Sequence, residues 1–277
     1  MHRTGLAEAY LPGADGIVQC LDRLDVIQLD PIDRCGQNAD LVVGARVGGT
    51  RRGDVHRVLA GRSFEHFAKE RCIVHARHFA HYRQQAVATP WWRNTERMAK
   101  VDEGVLADVL AEVSERGPLT TGQLSARGKV APIDWSGWKG TSRREVLAAE
   151  VLWTRCELVV SGRDPRGQRV YDLPERALPA ADLDPPATPF AEAMIAARVR
   201  SAGLLSRNAG PTWSMLATPR TDGTVDRIVE AGTLLDVKVG RRKYLALPEL
   251  RTFEARAHRG AVVLGPLLAS ADLPGKP

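Results

Sequence analysis

Cysteine is scarce and scattered. Cys20, Cys35, Cys72 and Cys156 form no Cys-x-x-Cys pair, so they read as reduced thiols of a cytosolic protein and not as a disulfide framework or a zinc site. Long apolar runs are missing as well. Nowhere does a stretch of about 18 apolar residues, the length of a membrane helix, run unbroken, and Met1-His2-Arg3-Thr4-Gly5 leads into no hydrophobic leader segment. A soluble, cytoplasmic and nucleoid-associated protein with no membrane partner is expected. A nucleotide site is excluded too: Gly48-Gly49-Thr50-Arg51-Arg52-Gly53 lacks the glycine spacing of a phosphate-binding fingerprint and the Lys-Ser/Thr that follows one. His75, His78 and His81 recur at steps of three on an expected helical segment, but no carboxylate or thiolate ligands accompany them. They read as a solvated or phosphate-facing surface. No metal and no cofactor is expected.

What the chain does contain is positive charge. Its 277 residues carry 39 Lys and Arg against 33 Asp and Glu, a net charge of +6, with 44% apolar and 26% charged residues. That suits two or three small domains with proper cores. Much of the excess is arginine, whose planar fork of donors fits phosphate.

Periodicity then divides the chain. An i, i+3, i+4, i+7 pattern at Ile17, Cys20, Leu21 and Leu24 marks a helix that feeds an apolar strand at Val26–Ile32; residues 33–47 read as helical. Trp91-Trp92-Arg93 could stack on bases or pack in a core. From Val105 to Val113 an amphipathic helix runs to Gly117-Pro118, Leu119–Leu124 opens a short second helix, and Ser142-Arg143-Arg144-Glu145 has the form of a capping box opening a third. Two apolar runs, Leu158–Val160 and Gln168–Leu173, then flank a turn. Three helices followed by a hairpin is a winged helix-turn-helix, with Arg163, Arg166 and Arg169 giving the wing a positive tip. Arg143 and Arg144, at the head of the third helix, join them as candidate DNA contacts.

Beyond a proline-rich linker, Leu178–Pro186, the pattern recurs: helices over Phe190–Val199 and Val225–Ala231, then a hairpin turning at Gly240-Arg241-Arg242-Lys243. Tyr171…Leu173-Pro174-Glu175 and Tyr244…Leu247-Pro248-Glu249 repeat at a spacing of about 70–75 residues. The expected fold is mainly α with small β-hairpins (α+β), built of tandem winged helix-turn-helix domains. The boundaries are 1–103 for a winged-helix-like catalytic domain, 104–179 and 187–250 for the second and third units, and 251–277 for a tail. Winged helices also bind proteins, but two basic wings, Arg241 and Arg242 among them, favour double-stranded DNA. Tandem units within one chain favour a monomer over a dimeric regulator reading two half-sites.

The stretch that carries chemistry is Val26-Ile27-Gln28-Leu29-Asp30-Pro31-Ile32. Gln28 and Asp30 fall on one face of a strand, beside each other, while Ile27 and Leu29 face the core. Pro31 ends regular pairing, so the polar pair sits near the strand's exit. An amide beside a carboxylate could hold a water; equally, Asp30-Pro31 reads as an ordinary turn with Asp30 capping a helix.

Gln28-Leu29-Asp30, with Pro31-Ile32-Asp33 and Asn38-Ala39-Asp40-Leu41-Val42 after it, resembles the catalytic segment of the AlkZ/YcaQ-type winged-helix DNA glycosylases. The hairpin and its exit at Gln168–Pro179 resemble that family's second winged helix, and Phe190–Leu247 its third. The resemblance implies metal-free hydrolysis of the N-glycosidic bond of alkylated purines in duplex DNA. In some members it extends to unhooking interstrand crosslinks, and several serve self-resistance to DNA-alkylating natural products. It implies that Asp30 stabilises the sugar cation and accepts a proton from water that Gln28 orients, while Arg34, Asn38 and Arg46 are candidates to grip phosphate or sugar. The chain departs from the family where Ala39 stands in place of a frequent His, in a short segment before Gln28, and in lacking a C-terminal Trp-Asp-Arg region. Residues 251–277 are expected to be a loosely ordered tail. The alternative outside enzymology is a non-catalytic winged-helix DNA binder, a regulator or a degenerate damage binder.

Overall fold

The first helix shows how the chain builds its units. In a computed structural model, which describes residues 10–29, 36–68, 70–89, 94–131 and 140–252, α1 (Gly13–Leu24) buries Ile17, Cys20, Leu21 and Leu24 along one stripe, as an amphipathic helix must. Asp25 ends it in a left-handed conformation, φ 59°, and β1 (Val26–Gln28) follows directly. Then come α2 (Asn38–Gly44), α3 (Asp54–Val58), β2 (Ser63–Phe67) and β3 (Arg71–His75). The strand order is β1-β3-β2, with Ile27 opposite Ile73 and Gln28 opposite Cys72 in an antiparallel pair.

A related order, a helix, a strand, a further helix and a closing hairpin, returns twice. After α4 (Phe79–Ala88) and α5 (Asn94–Met98), the second run is α6 (Glu103–Arg116), β4 (Leu119–Thr120), a short ladder of β5 (Lys129–Val130) with β6 (Ser142–Arg143), α7 (Arg144–Thr154), β7 (Val159–Arg163) and β8 (Arg169–Asp172). Its sheet order is β4-β8-β7. A short α8 (Pro174–Ala177) leads out of it, and the third run is α9 (Phe190–Ala202), β9 (Leu204–Ser206), α10 (Thr224–Glu230), β10 (Leu235–Val239) and β11 (Arg242–Ala246), ordered β10-β11-β9. In all three, the strand after the first helix pairs antiparallel with the last strand of the closing hairpin. That is the connectivity expected of a winged helix, and strand order extends to the first run a likeness that the sequence repeat drew only between the second and third. The mainly helical, small-hairpin class stands.

Contacts gather the described residues into two compact units. One comprises the described parts of 1–59, 67–75 and 187–277, and the other 60–66 with 76–186. In the first, Tyr10, Ile17, Leu21, Ile27, Val43, Val55 and Ile73 share one core. In the second, α6 supplies Leu106, Val109 and Val113, while α7 is buried over Leu147, Ala148, Ala149, Val151, Leu152 and Trp153. A helix buried on nearly every face is an interior helix, so α7 offers little surface to a groove of DNA.

Several local expectations change. Leu119–Leu124 is not a helix: Leu119 and Thr120 form β4, and the Gln123 side chain accepts from the Thr120 amide at 2.8 Å, closing a turn. Ser142–Glu145 is not a capping box, because Ser142 and Arg143 lie in β6 and Arg143 caps α7 without a side-chain bond. Glu145 instead accepts from the Arg127 amide at 3.1 Å. His75, His78 and His81 do not share a helix; they fall on β3, a 3-10 turn and α4. The helix expected over 33–47 is limited, among the described residues, to α2 and the turns after it. Trp91, Trp92 and Arg93 and most of the 251–277 tail lie outside the described residues. Among the described residues no helix is long and apolar enough to cross a membrane, and no group of three His, Cys, Asp or Glu is placed to hold a metal ion.

Candidate active site and nucleic-acid interface

β1 alternates as its residue types require: Ile27 is buried at 1% exposure, while Val26 and Gln28 are half-buried on the other face. The ladder extends one residue past the strand, Leu29 donating its amide to the Arg71 carbonyl at 2.8 Å. Gln28 therefore stands at the exit of a paired strand. Its carbonyl accepts from Asn38 Nδ2 at 3.0 Å, which ties the exit of β1 to the start of α2. Asn38 thus makes a backbone contact inside the protein where a sugar or phosphate contact was expected. Asp30 and Arg34 lie outside the described residues.

α2 and the turn after it border an open concavity of about 740 Å³, whose lining includes Gln37, Asp40, Leu41, Thr50, Arg51 and Arg52. Asp40 fixes this turn by accepting from the Gly53 amide at 2.8 Å. Asp54 accepts from the Arg51 amide at 2.9 Å and from Arg57 at 2.8 Å, and the Arg57 bond is the leading reason its carboxyl lies below the usual range. Arg46, expected to grip phosphate, is instead only 6% exposed and donates to the Val42 carbonyl at 2.6 Å. Burial lowers the pKa of its guanidinium and, in the same interior, pushes Cys20 up to about 11 and Tyr10 up to about 12. Arg46 belongs to the core.

Most arginines of the second repeat already hold carboxylates. Arg143 pairs with Glu145, and Arg144 with Asp102 at 2.7 Å. Arg163 grips Glu65 through two nitrogens, its Nε at 2.9 Å, and also reaches the Gly167 carbonyl. Arg169 lies 3.9 Å from the same carboxylate, stacks over the Trp153 ring and donates to the Tyr171 hydroxyl at 3.3 Å. Trp153 Nε1 in turn donates to the Glu65 carbonyl at 2.6 Å. Arg166 differs: it sits exposed in the turn between β7 and β8, where its amide donates to Asp164.

The third hairpin carries a cluster of exposed cations. Lys238, Val239, Gly240, Arg241, Arg242 and Lys243 are all exposed at its tip. Gly240 has φ 58°, and Val239 pairs with Arg242, so Gly240 and Arg241 form a two-residue loop with glycine at the first position, where such hairpins favour it. The aromatic–arginine nest at Glu65 was missed by sequence reasoning. Glu65 and Arg163 are 98 residues apart, and no local pattern joins them.

Comparison with known proteins gives two findings. A family model described as DNA glycosylase AlkZ-like matches residues 21–272. Among solved structures, Streptomyces sahachiroi DNA glycosylase AlkZ is similar at a TM-score of 0.58 and 20% identity, over 91% of this chain and 68% of that one. At that identity the likeness is one of fold. No curated protein matches the chain in sequence.

Proposed function

The chain belongs to the AlkZ-like DNA glycosylase family, and from that premise we propose that it hydrolyses the N-glycosidic bond of alkylated purines in duplex DNA. The observation that carries the reading is the placement of Gln28, half-buried at the exit of a paired strand with its backbone fixed by Asn38. Alkylation at N7 or N3 leaves the purine cationic, so it departs with the glycosidic electron pair as a neutral base. The sugar becomes oxocarbenium-like. Gln28, with an acceptor oxygen and a donor nitrogen on one amide, orients a water; Asp30 stabilises the cation and takes the water's proton as its oxygen bonds to C1′.

A duplex joined through an alkylated purine poses the same bond to the same pair, so interstrand crosslinks fall in the substrate class, as does damage from a producer's own alkylating compound. A crosslinked base cannot be swung freely into a tight pocket, and the open concavity beside α2 suits such bulk. Arg166 and the tip of the third hairpin, which keep their cations at the surface, hold the flanking phosphates.

The test is release of free base from duplexes carrying N7-methylguanine or an interstrand crosslink, read as abasic sites by alkaline cleavage. Gln28→Ala and Asp30→Asn should each slow release by about a hundredfold to ten-thousandfold with DNA binding kept. Wild-type protein that binds these duplexes and frees no base would leave a non-catalytic binder.

A further inference from the structure

We propose that α9, the first helix of the third repeat, braces the catalytic strand, with Arg200 the positioning residue for Gln28; this rests on the glycosylase reading above. Asp25 begins the argument. It joins α1 to β1 three residues before Gln28, its side chain is fully buried, and it holds φ 59°. A non-glycine residue in that region persists only where its surroundings over-determine it. Here they do. The Asp25 amide donates to the Leu21 carbonyl at 2.8 Å, its carbonyl accepts from the His75 amide at 2.8 Å, and its carboxylate accepts from Arg200 Nη1 at 2.6 Å.

Arg200 is contributed by α9, 175 residues further along the chain. A second arginine of that helix grips the same sheet. Arg198 Nη2 donates to the carbonyl of Ala68, in the turn between β2 and β3, at 2.9 Å, and to the Ser214 carbonyl at 2.5 Å; its Nη1 donates to Thr212. One helix therefore holds the entrance of β1 and the far turn of the sheet it belongs to.

The consequence follows from strand geometry. β1 is three residues long, too short to fix its own register. Side chains alternate along it, so a slip of one residue would turn Gln28 into the core and Ile27 out of it. Clamping Asp25 sets where the alternation starts and hence which way Gln28 faces. The third repeat thus serves the chemistry without touching the base.

Three variants test the brace: Arg200→Lys, Arg200→Met, and Asp25→Asn combined with Arg200→Met, which removes both charges of the pair. Amide hydrogen exchange over residues 26–29, melting temperature, affinity for an N7-methylguanine duplex, and single-turnover release of that base would be measured. The double variant should melt near wild type, bind the duplex as wild type does, exchange faster over residues 26–29, and release base about tenfold to a hundredfold more slowly, the scale of a small misplacement. Arg200→Lys, which keeps the charge and so the fold, should fall between. Residues 26–29 as protected as in wild type, or release restored along with the melting temperature in the double variant, would overturn the proposal. Faster exchange in a protein whose wild type frees no base would instead keep the brace and remove the glycosylase reading.

Discussion

Glu65 shows what residue-level chemistry adds to a charge count. Its carboxylate, 4% exposed, lies between Arg163 and Arg169, and Trp153 holds its carbonyl. Both arginines read from the sequence as wing cations aimed at phosphate, because basic side chains around a glycine turn carry that meaning locally. Their partner is remote, so its effect was not legible. Removing one member of a buried ion pair costs about 3–5 kcal/mol. Arg163→Ala should therefore destabilise the protein by roughly that amount while leaving duplex affinity within about twofold, well under the tenfold that 1.4 kcal/mol would mean. Arg166→Ala should do the reverse, weakening binding with an unchanged melt. Melting and fluorescence anisotropy on the two proteins check this; equal losses of affinity would contradict it. Gln28 was the better-marked residue, since strand alternation alone placed it on the face opposite Ile27, and the structure keeps it there.

At the scale of elements, periodicity was legible wherever an element has one buried face. The α6 stripe and both later hairpins follow their patterns, and Tyr171 and Tyr244 occupy matching positions, each on the last strand of a hairpin and paired on both sides. Where tertiary packing chooses the structure, the pattern misled. Glu145 looked like the closing residue of a capping box but turns to the Arg127 amide and the Arg143 side chain. The three histidines kept a spacing of three, yet the chain changes from strand to helix among them. The third hairpin gives the element-level test. Its exposed tip carries Lys238, Arg241, Arg242 and Lys243, and each cation taken off a phosphate should flatten the dependence of log affinity on log salt by about 0.9. Arg241→Glu with Arg242→Glu should thus lower the slope by about 2 and weaken duplex binding, while saturating protein still releases base at the wild-type rate. Salt titrations to random duplex measure it; an unchanged slope would take this hairpin off the DNA.

Across the whole molecule, the sequence repeat joins only the second and third runs, because the first lacks the Gly-Arg turn and the Tyr…Leu-Pro-Glu exit; strand order shows the three alike. The second run carries its own acid sensitivity. Its 121–131 stretch, which forms no helix, is held by two buried glutamates. Glu112 accepts from the Ser125 amide at 3.0 Å, the Ser125 hydroxyl at 2.8 Å and Arg127 at 2.8 Å, and Glu145 accepts from the Arg127 amide. Burial would raise the Glu112 pKa, but the bonds from Ser125 and Arg127 outweigh it and hold the carboxyl at about 2. The Glu145 carboxyl is likewise lowered against burial, by its backbone bonds and Arg143. A folded pKa below the unfolded value, ordinarily near 4.5 for glutamate, gives stability that is complete above that value. It is lost as pH falls through the window from about 4.5 to about 2. Acid should accordingly loosen the unit that contains α6 and α7, where both glutamates lie. Hydrogen exchange followed peptide by peptide from about pH 5, just above that window, downward would show α6 losing protection through it. Glu112→Gln should lower stability at neutral pH by about 3–5 kcal/mol, the loss expected when one side of a buried pair is removed, and should flatten the acid limb of the second unit. An α6 that keeps its protection through that window, or an acid limb untouched by Glu112→Gln, would show that these two glutamates do not govern it.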